Sequence, residues 1–405
     1  MHSVRPLQLW VCRLPHIGFV VSTLALISTA FAVGDTTQPN ASLGEFIFTS
    51  DVHYGIARGN FRGGVNVESQ SVNAAMVRKI NRLPSAVLPK DDGLKAGVEV
   101  GGINFLVITG DITNRQELYP LPIQSSSISW GQFEKGFLNG ITLKGPTGQP
   151  TPLFLVPGNH DVSDAIGSPS KMNPLTDATS MAEMYNRMVK SSTPRTKDTY
   201  NYATDKVYYA KDVAGAHCIF LTIWPETRAR TWMEADLKNV PTTTPVFIFA
   251  HDPPDVDPKH LTNPNGDHGI NSKDRFENIL ADVCADGSNT GVETTIEQRA
   301  FVAFLKAHKN IVAYFHGHSN WTEYYPWKGP DNDIALNTFR SDSPMKGKIS
   351  GKDEIKLAFQ FVIFDTASKK MTVRECLWNS PPSDNENGAA VAWGKSITVS
   401  LAPRI

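Results

Sequence analysis

Beyond its first 32 residues the chain has no apolar run approaching the roughly 20 residues a membrane-spanning helix needs. It holds only four cysteines, none in a Cys-x-x-Cys pair, which argues against a structural zinc finger. Neither sign of charge dominates: 39 basic residues face 40 acidic ones, for a net charge of -1. That balance gives no electrostatic reason to expect nucleic acid or an anionic membrane as partner, and no basic stripe favours a nuclease.

What is present begins with an export signal. Arg5 and Arg13 precede an apolar stretch from Ile17 to Ala32, and Ala30-Phe31-Ala32 has the small-x-small form a signal peptidase accepts. Residues 1–32 are therefore expected to be removed, 33–44 to be a leader, and 45–405 to form one domain. An uncleaved anchor is the alternative. The expectation is a secreted or periplasmic protein without stable membrane insertion after cleavage. Cys12 would leave with the signal, Cys218 reads as a small hydrophobe in a strand, and spacing gives no support for a Cys284–Cys376 bridge.

Five short apolar runs recur: Phe46–Phe48, Phe105–Ile108, Leu153–Val156, Val246–Phe249 and Ile311–Phe315. Continuous runs of this length suit strands buried on both faces. Between them, helical spacing appears over Asn73–Leu83, Met181–Met188 and Thr295–His308. The alternation predicts an α/β sheet fold. From Ile334 onward strand-like runs dominate (Ala358–Phe364, Met371–Cys376, Ser396–Ala402), expected to be antiparallel strands completing a second sheet.

A polar cluster follows each apolar run. In order these are Asp51-Val52-His53, Gly110-Asp111-Ile112-Thr113-Asn114, Gly158-Asn159-His160-Asp161, His251-Asp252 and His316-Gly317-His318. Ligands bind beyond the carboxyl ends of strands in open α/β sheets, so five metal-capable clusters so placed should meet in one crevice. Each alone reads as a turn or a solvated loop pair. Together they do not, because five of the nine histidines outside the signal fall in them.

The order resembles the calcineurin-like metallophosphoesterases, from about Glu45 to Asn379. The resemblance implies a four-layer αββα fold: two mixed β-sheets packed face to face, flanked by helices. It also implies two divalent transition-metal ions (Mn, Fe, Zn or Co), a ligand chemistry that mixed carboxylate, imidazole and amide groups suit. Asp51 and His53 would bind the first ion, Asp111 would bridge both, and Asn159, His251 and His318 would bind the second. Two such ions clamp a phosphate and lower the pKa of water so that hydroxide attacks phosphorus. His160 would protonate the leaving oxygen or stabilise phosphate charge. Asp161 is either an orienting acceptor or a helix N-cap.

The sequence departs from the pattern twice. The last motif ends in Asn320 rather than histidine. Either Asn320 supplies an amide oxygen to the first ion or water takes its place; a shifted reading uses His316, which strand alternation would place beside His318. Asn114 stands where many members carry Asp or Tyr, so His160 lacks a charged partner there and the purple acid phosphatase branch is disfavoured. By the same resemblance Asn114 leans the reading toward phosphodiesters. Phosphomonoesters, or a decayed binding scaffold, are the alternatives. His217, His260, His268 and His308 match nothing, and Arg115 is read as a surface residue. Trp321, Tyr324, Tyr325 and Trp327 either stack on a small-molecule substrate or pack the rim.

Overall fold

The apolar runs form strands: β1 (Leu43–Thr49), β4 (Phe105–Thr109), β5 (Leu153–Val156), β8 (Val246–Phe249) and β9 (Ile311–His316). The computed structural model describes residues 42–114, 124–163, 177–201, 204–256, 295–380 and 391–405. The expected signal, most of the leader, Arg115, His260, His268 and Cys284 lie outside those residues. The expected leader boundary needs correction: Leu43 and Gly44 already pair with Asp365 and Phe364. Residues Pro39–Ile405 make one compact unit.

Two mixed six-stranded sheets carry the fold. In the first, β1, β4 and β5 run parallel in the order β1-β4-β5. In the second, β7 (Ala216–Phe220), β8, β9 and β11 (Leu336–Arg340) run parallel in the order β11-β9-β8-β7. Antiparallel edges β10 (Glu323–Trp327) and β6 (Tyr209–Val213) close the second sheet.

The last strands are antiparallel, but they do not complete the second sheet. Strands β12 (Ala358–Asp365), β13 (Lys370–Leu377) and β14 (Ala392–Ser400) extend the first sheet, in the order β14-β13-β12-β1. The second sheet receives only β11 from this region, and β11 is parallel to β9. The reason is an edge count. Strand β1 is buried on both faces and has β4 on one side, so its other edge must be filled. Strand β12, itself almost wholly buried, pairs along it from Leu43–Asp365 to Phe48–Gln360, while the free edge of β9 is taken by β11.

The sheets face each other across an aromatic layer. Phe46 of β1 meets Phe249 and Phe315 of the second sheet at centroid distances of 5.6 and 5.4 Å, and Phe364 meets Phe247 at 5.2 Å. Truncating one such phenyl to alanine costs about 3–5 kcal/mol. Helices cover the outside. Helix α1 (Ser69–Arg82) buries Val72, Met76 and Ile80, one per turn, and ends with Lys79 and Arg82 where the helix dipole favours cations. Helix α2 (Thr295–Ala307) sets Phe301 against Tyr314 on the outer face of β9. Among the described residues no helix is long and apolar enough to cross a membrane.

Candidate metal centre

The five clusters converge because parallel strands end together. From β1 and β4 the two loops run alongside one another: Asp51 N donates to Gly110 O, His53 N to Asp111 O and Tyr54 N to Ile112 O, at 2.9–3.0 Å. His251 and Asp252 both donate their backbone N–H to Ile223 O. His318 N donates to Asp51 Oδ2 at 3.0 Å, which joins the last cluster to the first.

Backbone strain marks the same residues. Asp51, His53, Asp111, His318 and Asn320 have φ of 55°, 40°, 52°, 65° and 65°, a region that residues with a Cβ rarely occupy. Such conformations cost roughly 1–3 kcal/mol each and persist where the surroundings enforce them, commonly at functional sites. Two glycines complete the fit by close approach. A Cβ on Gly158 would collide with the Asp111 carboxylate, and one on Gly317 with Asp51 and Ser50.

Six of the predicted ligands form two adjoining sets. In one, His251 Nε2 lies 3.0 Å from Asn159 Oδ1, 3.3 Å from His318 Nδ1 and 3.4 Å from Asp111 Oδ1. In the other, His53 Nε2 lies 3.7 Å from Asp51 Oδ1 and 3.6 Å from Asp111 Oδ2. The two oxygens of Asp111 thus face different sets. All these residues are buried except His318, whose side chain is 14% exposed.

The donor chemistry fits divalent cations. Asp51 Oδ1 and His53 Nε2 are buried and accept or donate no hydrogen bond, although such atoms normally find a partner. His251 Nδ1 donates to Thr109 O at 2.7 Å, which fixes the tautomer and leaves the Nε2 lone pair facing Asn159 and Asp111. Electrostatics point the same way. Burial pushes the Asp51 carboxyl up to about 7, with Asp111 adding to the rise. Burial also disfavours a charged His251, but Asp111, Asp51 and Asp252 outweigh it and lift the imidazole to about 10. Positive charge is therefore favoured between these carboxylates.

His160 reaches the same crevice. Its backbone N–H donates to Asp111 Oδ1 at 2.9 Å, its Nε2 is 3.9 Å from Asp111 Oδ2, and its ring meets His53 edge-on at 4.7 Å. Burial, then the nearby Lys346 ammonium, hold His160 well below the usual imidazole range.

Of the two readings of Asp161, the orienting acceptor fits and the plain helix cap does not: its carboxylate accepts N–H bonds from Ile112, Thr113 and Gly158 at 2.9–3.1 Å. It ties the second cluster to the third and so positions both Asp111 and Asn159. His316 turns away from the crevice, with Nδ1 donating to Gly317 O at 3.0 Å and Nε2 2.9 Å from Tyr325 Oη. Strand alternation fails as a guide there because β9 ends at His316 and His318 has left-handed backbone. Asn320 Nδ2 donates to His318 O at 2.8 Å, leaving its buried Oδ1 without a hydrogen-bond partner.

The rim aromatics are used for packing. Trp327 stacks on Phe301 and Tyr324 tilts against Phe339, while Arg340 and Lys348 lie over the Trp321 ring at 4.0 and 4.3 Å. His217 bridges Asp212 and Asp236, and His308 meets Glu234, both away from the centre.

Two residues carried no assigned role in the sequence: Asp252, named only within the His251-Asp252 cluster, and Lys346. Asp252 is fully buried and places Oδ1 3.7 Å from His318 Nδ1; with His251 and His318 it makes a group able to hold an ion. Its position directly after His251 was the available signal. Lys346 Nζ lies 3.1 Å from His160 Nε2 and 3.4 Å from Asn114 Oδ1, and no motif announced it.

Comparison with known proteins agrees with this picture. No curated protein matches the chain. Among solved structures it is similar to a dimetal phosphatase from Danio rerio, at 10% identity and a TM-score of 0.48, covering 89% of this chain and 99% of that one. A 5'-nucleotidase from Staphylococcus aureus described from its crystal structure as putative is 12% identical with a TM-score of 0.35, over 89% of this chain and 55% of that one. The phosphopantetheinyl hydrolase of Mycobacterium tuberculosis is 10% identical with a TM-score of 0.33, over 75% and 91%. These similarities are too low to carry function. The family profile of the calcineurin-like phosphoesterases, however, matches residues 44–321, which hold every cluster described above. The chain belongs to the calcineurin-like phosphoesterase family and is a phosphoric ester hydrolase.

Proposed function

We propose that the chain hydrolyses a small-molecule phosphate ester at a two-ion centre, with phosphodiesters as the preferred class. One observation carries the two-ion part: Asp111 turns Oδ1 toward His251 and Oδ2 toward His53, as a bridging carboxylate must. Asp51 and His53 would hold the first ion, with Asn320 Oδ1 as a further oxygen donor. Asn159, His251 and His318 would hold the second, with Asp252 beside them. Two ions bound there would supply hydroxide near neutral pH and neutralise charge on the phosphoryl oxygens.

The rest of the work falls to the chain itself. Thr109 O and Asp161 hold ligands in place, and the surrounding bonds enforce the strained backbone at Asp51, His53 and Asp111. His160, aimed at the same space, stabilises the developing charge on a phosphoryl or leaving oxygen. The diester preference rests on Asn114, a neutral amide where a carboxylate or phenol would otherwise stand. A monoester reading is favoured by one observation, the Lys346 ammonium beside His160, since a dianion gains more from a nearby cation. Export through the N-terminal signal belongs to the same proposal, supported by Arg5, Arg13 and the run to Ala32.

A chromogenic diester and a monoester assayed with added Mn, Zn, Fe or Co test this. Turnover should vanish with a chelator, return with a divalent ion, and show the higher kcat/KM on the diester. Two bound ions without turnover of either ester would sink the hydrolase reading in favour of a scaffold.

A further inference from the structure

We propose that Lys346 is a substrate-contacting residue, its ammonium gripping a phosphoryl oxygen of the bound ester beside His160. This rests on the two-ion reading and deepens it. The residue lies outside the segment matched by the family profile, so the family pattern does not supply it.

Three observations support the assignment. First, place: Nζ lies 3.1 Å from His160 Nε2 and 3.4 Å from Asn114 Oδ1. Those two residues follow β5 and β4, so the cation stands at the crevice and on the side of His53 and Asp111 Oδ2. Second, chemistry: an ammonium can only donate, so Lys346 meets His160 Nε2 as the donor and aims that hydrogen at the space where His160 would act on an oxygen of the ester. An ammonium is a compact point charge suited to one phosphate oxygen.

Third, construction: the loop carrying Lys346 is built onto the site. Ser343 Oγ donates to Asp51 O at 2.8 Å and accepts the N–H of Met345 and Lys346 at 3.1 and 2.9 Å. The first predicted ligand and the base of the lysine therefore share one hydroxyl. The buried Arg58, from the hairpin β2 (Ala57–Phe61) and β3 (Gly64–Glu68), clamps the loop from the other side. It donates to Pro344 O at 2.7 Å and to Ser350 O at 2.5 Å. A lysine whose only task was to cover surface would need no such anchoring.

Lys346→Met keeps the stem and removes the charge; Lys346→Arg keeps the charge with a different head. Both are compared with wild type and with Lys352→Met, an exposed neighbour, by steady-state kinetics, metal analysis, thermal melting and calorimetric titration of inorganic phosphate into the Mn-loaded protein. Lys346→Met should lose about 10²-fold in kcat/KM and bind phosphate at least tenfold more weakly, with metal content and melting temperature unchanged. Lys346→Arg should recover most of both, and Lys352→Met should match wild type. Unchanged phosphate affinity in Lys346→Met, or a loss of metal or stability that accounts for its defect, overturns the inference. Phosphate titration reads out without turnover. An inactive wild type would therefore count against the hydrolase reading alone, while the affinity comparison still decides the role of Lys346.

Discussion

The two halves of the centre are built differently. Around the second ion position three donors, Asn159 Oδ1, His251 Nε2 and His318 Nδ1, cluster within 3.0–3.3 Å of one another, with Asp252 close by. Around the first, one imidazole faces Asp51 and Asp111 at 3.6–3.7 Å, and an amide stands at 320 where the family pattern has histidine. Nitrogen-rich, closely set donors suit transition ions better than a looser carboxylate set. On the proposed assignment the second position would hold its ion firmly and the first more exchangeably. The loop held by Ser343 and Arg58, which carries Lys346, is bonded to Asp51 of the first half.

Removing the shared element should collapse both halves. Asp111→Asn is expected to lower kcat/KM by about 10³-fold or more, since several kcal/mol of charge stabilisation disappear. Metal analysis should show fewer than two ions per chain. If Asp111→Asn keeps two ions and full activity, the halves are not coupled as described.

The link between halves comes next. Asp161→Ala leaves the buried N–H groups of Ile112, Thr113 and Gly158 without their acceptor, at about 1–3 kcal/mol each. A melting temperature lower by several degrees, measured without added metal, is expected. An unchanged melting point would mean the carboxylate holds nothing together.

Asn320→His sharpens the contrast directly. Restoring the family residue should tighten the first ion by about tenfold, read by Mn titration, and leave the second unaffected. Tightening of the second ion instead would reverse the assignment of the halves.

The smallest effect lies outside both halves. His217, bonded to Asp212 and Asp236 at 2.7 Å each, is raised above its ordinary value of 6.5 because the two carboxylates outweigh burial. Its stabilising contribution is complete below that value and is lost as pH rises through the folded value. The wild type should therefore lose stability between pH 6 and 9 more than His217→Gln does, by thermal melting. Equal slopes would contradict the raised value.

Much of this was legible in the sequence because buried parallel strands read as unbroken apolar runs and their ends carry the ligands. Phe105–Ile108 announces β4 and puts Asp111 beyond it, and the same logic places Asn159, His251 and His318. Sheet membership of β12–β14 was not legible, because which edge lies open depends on strands distant in sequence. His316 misled because alternation stops where the strand stops, and the two readings of Asp161 could not be told apart because its bonds reach residues up to 49 positions away. Lys346 was invisible because only the fold brings residue 346 against residue 160.

Anomalous diffraction from crystals grown with Mn tests the central claim most directly. The account predicts two peaks about 3.5–4 Å apart, one between Asp51 and His53, the other among Asn159, His251 and His318, with an Asp111 oxygen on each. One peak, or two with Asp111 touching fewer than both, would contradict it.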